Sequence, residues 1–350
     1  MATTMPLDAG QGRRDSSSAP PWAESARRQR RAYAALDLGT NNCRLLIARP
    51  ARQGFYVVDA FSRIVRLGEG LIQSGKLSEA AQDRAVEALK ICADKLRRRD
   101  VHIARNVATE ACRRATNGAA FIERVYAETG IALDVITSAE EARLAVLGCQ
   151  TLIEPGTEQA LVFDIGGGST ELILVDLCPR GLVDIKAWTS VPWGVVSLAE
   201  TEPLHFDSTE ARLEAYARKK QRVMDHLSGF AASIASQLRP GLQMLGTSGT
   251  ITTLASLHLG LPSYDRRQVD GCWVPHGSMR DISSMLASKS PADRARVPCI
   301  GTERADLVVA GCAILEAILD AWPGEKLRVA DRGIREGILR TLMGRDGYHV

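Results

Sequence analysis

Asp164 and Glu171 bracket the run Ile165-Gly-Gly-Gly-Ser-Thr170. The apolar stretch Leu161-Val-Phe leads into the aspartate, and Leu172-Ile-Leu-Val leads away from the glutamate. Gly166, Gly167 and Gly168 therefore fall in a turn between two buried strands. There glycine permits φ > 0 and lets the amides of the turn, through Ser169 and Thr170, converge on one phosphate. Carboxylates beside such a cradle suit Mg²⁺, which takes few carboxylates and keeps several waters. The same plan stands 127 residues earlier, where an apolar strand ends at Asp37 and Gly39, Thr40, Asn41 and Asn42 form the turn. Arg44 follows Asp37 at the distance that separates Glu171 from Asp164. Two matching loops facing each other would grip a phosphate from both sides.

Other residues carry two readings each. Asp37 either joins Asp164 and Glu171 at a metal or caps the amides of its own turn. Glu141 is either a general base that activates water or the acid of a capping box, Ser138-x-x-Glu141, reaching back to the Ser138 amide. Arg113 opens a helix just after a strand end and either neutralises a transferring phosphate or is a surface arginine beside Arg114. Arg66 follows the third strand and could line a polyanion path. Arg44 could do the same, or pair with a carboxylate of the other half. Gly246-Thr247-Ser248-Gly249-Thr250 joins a strand to a helix start, which suits either an anion or a plain capped helix. His102, His205, His258 and His276 lack metal-ligand spacing and read as structural.

The elements that must position these groups follow from periodicity. Strands are expected over 33–38, 43–49 and 55–65, then a helix over 79–99 capped by Ser78, strand 102–108, and a short helix from 110. A helix capped by Asn117 stops at Gly130, strand 131–137 follows, and Ser138 opens a helix to about 150. The pattern restarts with strands 160–165, 171–176 and 184–191, a helix over 209–237, strand 243–246 and a helix to 259. Residues 261–275 read as an irregular insertion. Helices near 276–288 and 302–321, strand 326–330 and helix 333–343 close the chain. The order βββ-α-β-α-β-α, then βββ-α-β-α, differs from the βαβ opening of a dinucleotide-binding fold. It predicts an α/β protein of two actin-like (ribonuclease H-like) domains with the active site in the cleft between them. The expected boundaries are a disordered basic tail over 1–32, one domain over 33–135, and a second over 136–325. The segment from about 326 to 350 packs back on the first.

A length of 350 residues, with 45% hydrophobic and 24% charged side chains, fits a globular chain of two domains. Residues 1–32 hold six arginines against three acids, which accounts for the whole formal charge of +3. The remainder is near neutral, so no broad surface for duplex nucleic acid is expected, and the basic tail reads as solvated. Eight cysteines stand apart without a C-x-x-C pair, which implies a reducing cytoplasm and no zinc site. No apolar run reaches the length of a membrane span, and no secretory signal is expected.

Asp37-Leu-Gly-Thr-Asn-Asn-Cys-Arg44, Val65-Arg-Leu-Gly68, Ala108-Thr-Glu-Ala-Cys-Arg113, Glu140-Glu-Ala-Arg143, Asp164 through Glu171, Gly246 through Thr250 and Gly333-Ile-Arg-Glu-Gly337 occur in this order. Together they resemble the exopolyphosphatase / guanosine pentaphosphate phosphohydrolase (Ppx/GppA) family over about residues 33 to 343. The resemblance implies release of terminal phosphate from inorganic polyphosphate or guanosine pentaphosphate, with Mg²⁺ or another divalent cation. It implies Glu141 as the base, leaving Glu140 to face solvent or the helix dipole. It assigns Asp164 and Glu171 to metal and water. Glu303, Arg304 and Asp306 also resemble family positions, though they fit an ordinary first helical turn. A homodimer is a further implication. Longer members carry a helical domain beyond this core, which bears on processivity rather than on the chemistry. Two other classes share these loops: an actin-like kinase of a small acceptor, and a non-catalytic sensor of polyphosphate or an alarmone.

Overall fold

A computed structural model describes residues 31–178, 182–202 and 208–348; the tail over 1–30 and His205 lie outside them. β1 (Ala32–Leu38), β2 (Asn42–Pro50) and β3 (Phe55–Ile64) form an antiparallel meander. β1 is apolar on both faces and takes the sheet centre, whereas β3 has no fully buried residue and takes the edge. Helix α1 (Glu79–Arg98) crosses over to β4 (Val101–Ala108), which lies parallel to β1. Ser78 caps α1, and Ala81, Ala85, Leu89 and Cys92 make its buried stripe. Helix α2 (Glu110–Arg114) and a helix over Gly118–Thr129 lead to β5 (Asp134–Val135), much shorter than the expected 131–137. Asn117 does not cap through its side chain; its amide group exchanges hydrogen bonds with the backbone of Leu77 instead.

Helix α3 (Ser138–Cys149) joins the halves. The second half repeats the plan with β6 (Gln159–Ile165), β7 (Thr170–Cys178), β8 (Leu182–Val191), helix α4 (Thr209–Ile234), β9 (Gln243–Thr247) and helix α5 (Gly249–His258). β10 (Trp273–Pro275), helix α6 (Val308–Ala321), β11 (Lys326–Ala330) and helix α7 (Ile334–Arg345) complete it. The sheet orders are β3-β2-β1-β4-β5 and β8-β7-β6-β9-β11-β10. Strand for strand they are the same sheet, with β10 added at one edge.

Two expectations are corrected here. Residues 261–275 are no irregular insertion, because Trp273–Pro275 pairs antiparallel with Lys326–Arg328. Lys326–Ala330 does not return to the first half, since it runs parallel to β9 inside the second sheet. Among the described residues the return is made by α7, which packs Ile338, Leu339 and Met343 with Tyr33, Ala35 and Leu46, and by Asp346 and Tyr348 just beyond it, which meet Tyr33. Its neighbour α3 turns Leu144 to that core, and Ala142, Val146 and Cys149 to the second sheet. The two helices touch at glycine. A Cβ on Gly337 would stand 2.1 Å from the Leu144 carbonyl oxygen, and one on Gly148 would stand 2.0 Å from that of Gly333. This backbone contact fixes one half against the other.

Candidate active site

The two strand–turn–strand units meet across a cavity of about 130 Å³ lined from both halves. Register explains the shared spacing: Asp37 pairs with Arg44 across β1–β2, and Asp164 pairs with Glu171 across β6–β7. Gly39, Thr40, Asn41, Asn42 and Arg44 line the cavity from the first loop, and Gly166, Gly167, Gly168 and Ser169 from the second. Ser248, Gly249 and Thr250 add the start of α5, where the Ser248 hydroxyl accepts from the Ile251 amide. The remaining expected cradle residues point elsewhere. Thr170 donates to the Trp193 carbonyl and Thr247 to that of Arg332, and Gly246 gives room to the Phe163 ring. All three belong to the strands rather than to the turns, and none of them lines the cavity.

The triple glycine meets a demand other than the expected positive φ. None of Gly166, Gly167 and Gly168 has positive φ. A Cβ on Gly167 would meet the Asn41 nitrogen at 2.9 Å, and one on Gly168 the Thr40 Oγ1 at 2.7 Å. The glycines let the two loops touch. Gly194 does the same from behind, since its Cβ would lie 2.4 Å from the Gly167 carbonyl carbon.

Glu141 lies in this cleft, only 7% exposed. The capping-box reading is overturned. Thr137 is the N-cap and accepts from the Glu140 amide, which moves Glu141 one position onward, to face the cleft. Glu140 does not face solvent freely either; Arg105 and Arg143 pair with it at 2.8 and 2.7 Å. Arg113 is absent from the cavity wall. Its guanidinium donates to Glu110 Oε2, to the Ile136 carbonyl at 2.6 Å, and to Glu141 Oε2 at 3.2 and 3.3 Å. Its donors are committed to these three neighbours.

Four carboxyls are crowded here. Burial, then repulsion from Glu171, holds Glu141 well above the usual carboxylate range, and Arg113 opposes this. Asp164 is pushed up to about 8 by burial and then by Glu171, with Arg44 acting against it. Asp37 is raised by burial, opposed by Arg44 and Arg335. Its buried Oδ1 has no hydrogen-bond partner. Glu171 is raised by burial as well, but one of its oxygens accepts from both Ser169 and Ser190 at 2.8 Å. Those bonds occupy it, and it does not line the cavity.

The expected trio of Asp37, Asp164 and Glu171 is therefore not assembled as one ligand set; close as these carboxyls are, among the described residues no three acids, histidines or cysteines are placed to hold one metal ion together. Asp37 and Asp164 alone still fit a divalent cation, because both are buried and under-neutralised, and Mg²⁺ needs only one or two carboxylates beside phosphate oxygens and water. Arg66 is not an open polyanion path. It binds Asp306 at 2.9 Å and the Glu303 carbonyl at 3.0 Å, tying the halves at the cleft mouth, where the Gly70 amide also donates to Glu200. Arg304, which resembles a family position and also fits an ordinary helical turn, lines the cavity, and so do Thr109 and Glu110 of the Ala108–Arg113 motif, neither of which is singled out by its own chemistry.

A profile of the Ppx/GppA phosphatase family matches residues 46–346. Exopolyphosphatase 2 of Mycobacterium tuberculosis is 31% identical over 324 residues, spanning 89% of this chain and 98% of that protein. The exopolyphosphatase structure from Cytophaga hutchinsonii superposes with a TM-score of 0.80 at 25% identity, covering 90% of this chain and 98% of that one. The Ppx/GppA family member from Aquifex aeolicus gives a TM-score of 0.73 at 28% identity, covering 91% and 99%. These neighbours share the two-domain actin-like fold, and their agreement along nearly the whole length establishes that the chain belongs to the Ppx/GppA phosphatase family.

Proposed function

We propose that the chain is an exopolyphosphatase, releasing orthophosphate from the end of inorganic polyphosphate by attack of water. The observation that carries this reading is the buried Glu141 facing two touching loops of amides, with Arg44 in the same cavity. Phosphoryl transfer asks the protein mainly for positioning and charge neutralisation. Arg44 and the loop amides receive the terminal phosphoryl group. Glu141 accepts the proton of the attacking water as the new O–P bond forms and the anhydride P–O bond breaks. The shortened chain leaves as the other product. Asp37 and Asp164 would hold a divalent cation, which would offset the charge gathering on the phosphoryl oxygens. Arg113 keeps Glu141 ionised and aimed.

The test is phosphate release with Mg²⁺ from long-chain polyphosphate and from guanosine pentaphosphate, side by side, for wild type and Glu141→Gln. Release from polyphosphate that falls on the order of a hundredfold or more in the folded variant is expected, as for loss of a general base. Undiminished release from the variant removes Glu141 from that role. Release from guanosine pentaphosphate alone reassigns the substrate, and label from ATP passing to an acceptor replaces hydrolysis with transfer.

A further inference from the structure

The segment before and at the start of α6 has two sides. Arg304, Leu307 and Val308 face the cleft, while Asp306, Val309 and Ala310 wall a second cavity in the second half alone. That cavity measures about 40 Å³, roughly three times the ~10–15 Å³ a single water needs. It has room for one small polyatomic ion and none for a nucleoside.

Its charged lining is almost wholly basic: Lys219 and Arg212 from α4, and Arg294 from the short helix Pro291–Ala295. Lys219 is 7% exposed. Its neighbours on α4 each have a carboxylate: Lys220 pairs with Glu316 and Asp320, and Arg218 and Arg222 pair with Glu202. Lys219 makes no hydrogen bond or ion pair among the described residues and opens into the cavity. Arg294 is equally buried and has only carbonyl partners there: Ala305 at 2.7 Å, Lys289 at 3.0 Å and Leu286 at 3.4 Å. Arg212 donates to the Ser288 carbonyl and the Thr209 hydroxyl. Among the described residues the one acid in the wall is Asp306, which is already neutralised, since both of its oxygens accept from Arg66.

A buried ammonium without a counter-charge is costly. Burial holds Lys219 down to about 8, with Glu202 opposing and Arg218, Arg294 and Arg222 adding to the lowering. We propose that this cavity is a second site, for one inorganic oxyanion of the orthophosphate type, held by the Lys219 ammonium with the guanidinium groups of Arg294 and Arg212. A free orthophosphate and the end group of a short polyphosphate present the same oxygens. The site is separate from the cleft and does not depend on the activity proposed above.

The experiment measures binding of radiolabelled orthophosphate to the full chain by equilibrium dialysis. Arg44→Ala weakens the cleft, so the binding that remains reports the second cavity. In that background Lys219→Met is expected to weaken it on the order of ten- to a hundredfold, the range for losing a charged hydrogen-bond partner, and Lys219→Arg is expected to retain most of it. Equal affinity with and without the Lys219 ammonium, or no binding once Arg44 is removed, overturns the proposal. If Lys219→Met does not fold, the wild-type chain gives the second readout, because bound orthophosphate should slow acetylation of Lys219 selectively; unaltered acetylation overturns the proposal. Tripolyphosphate in the same assays separates the sources. Competition by tripolyphosphate at lower concentration than orthophosphate assigns the site to a chain end, and the reverse order assigns it to free phosphate.

Discussion

Replacing Arg113 with methionine separates a positioning role from a phosphate-binding one. The guanidinium stands 3.2 Å from Glu141 Oε2, and the carboxylate side chain is 9% exposed. Removing one partner of such a buried pair typically costs about 3–5 kcal/mol. About 1.4 kcal/mol corresponds to a tenfold change in the ionisation equilibrium, so Glu141 should be held still further above the usual carboxylate range. Arg113 also neutralises Glu110, and its loss leaves a second negative charge nearby that pushes the same way. Glu141 must be ionised to accept a proton, so the acidic limb of the pH–rate profile should move to higher pH. Below that limb the rate should fall roughly a hundredfold, and at high pH the variant should approach wild type. The assay is phosphate release from polyphosphate across pH, with Arg113→Lys as the variant that keeps the charge and shifts the limb less. A limb that stays in place while the rate drops equally at every pH would refute the reasoning. It would return Arg113 to direct contact with the substrate.

Two more perturbations test the charge and the packing. Asp164 is pushed up to about 8 from an ordinary 3.8, so the folded chain holds this proton more tightly than the unfolded chain does. The resulting stability is fully present below about pH 4 and is lost as pH rises through about 8. Without divalent cations the wild-type melting temperature should therefore fall between pH 5 and 8.5, with an upper limit of about 4 kcal/mol from this group over that window. Asp164→Asn should flatten that fall, and parallel curves for the two proteins would contradict the assignment. Gly337→Ala puts a Cβ 2.1 Å from the Leu144 carbonyl oxygen, so α3 and α7 must separate, and overpacking of this kind costs about 1–3 kcal/mol or more. Calorimetry should show a clear loss of stability, and an unchanged melting temperature would mean that the helices are not held at this spacing.

The parts legible in the sequence were those written locally. The hairpin strands, the Ser78 cap and the Gly130 stop all depend on neighbours a few residues away, and the seven-residue spacings of Asp37–Arg44 and Asp164–Glu171 became cross-strand pairs. Where two adjacent residues can do one job, local reading slipped. Thr137 and Ser138 are both capable caps, and the choice of Thr137 decides that Glu141 faces the cleft instead of closing a box. Long-range partners were hidden altogether. β10 exists because β11 lies beside it, Arg66 is spent because Asp306 stands opposite, and Arg304 lines the cleft because the second half folds it there.

The glycines show how a correct motif can carry a mistaken cause. Read alone, Gly166-Gly-Gly168 looks like a demand for unusual backbone angles. The folded chain shows ordinary φ and a shortage of space, with Thr40 and Asn41 of the other loop pressed against the turn. The same shortage recurs where Gly148 and Gly337 let α3 and α7 touch. One glycine contact sits at the phosphate loops and the other at the helix pair behind them, so the two halves are held close at both places. An added methyl group at either would part them, and it would widen the cleft in which Glu141, Asp37, Asp164 and Arg44 face a common volume. In this chain glycine acts on the chemistry by setting the distance between the halves.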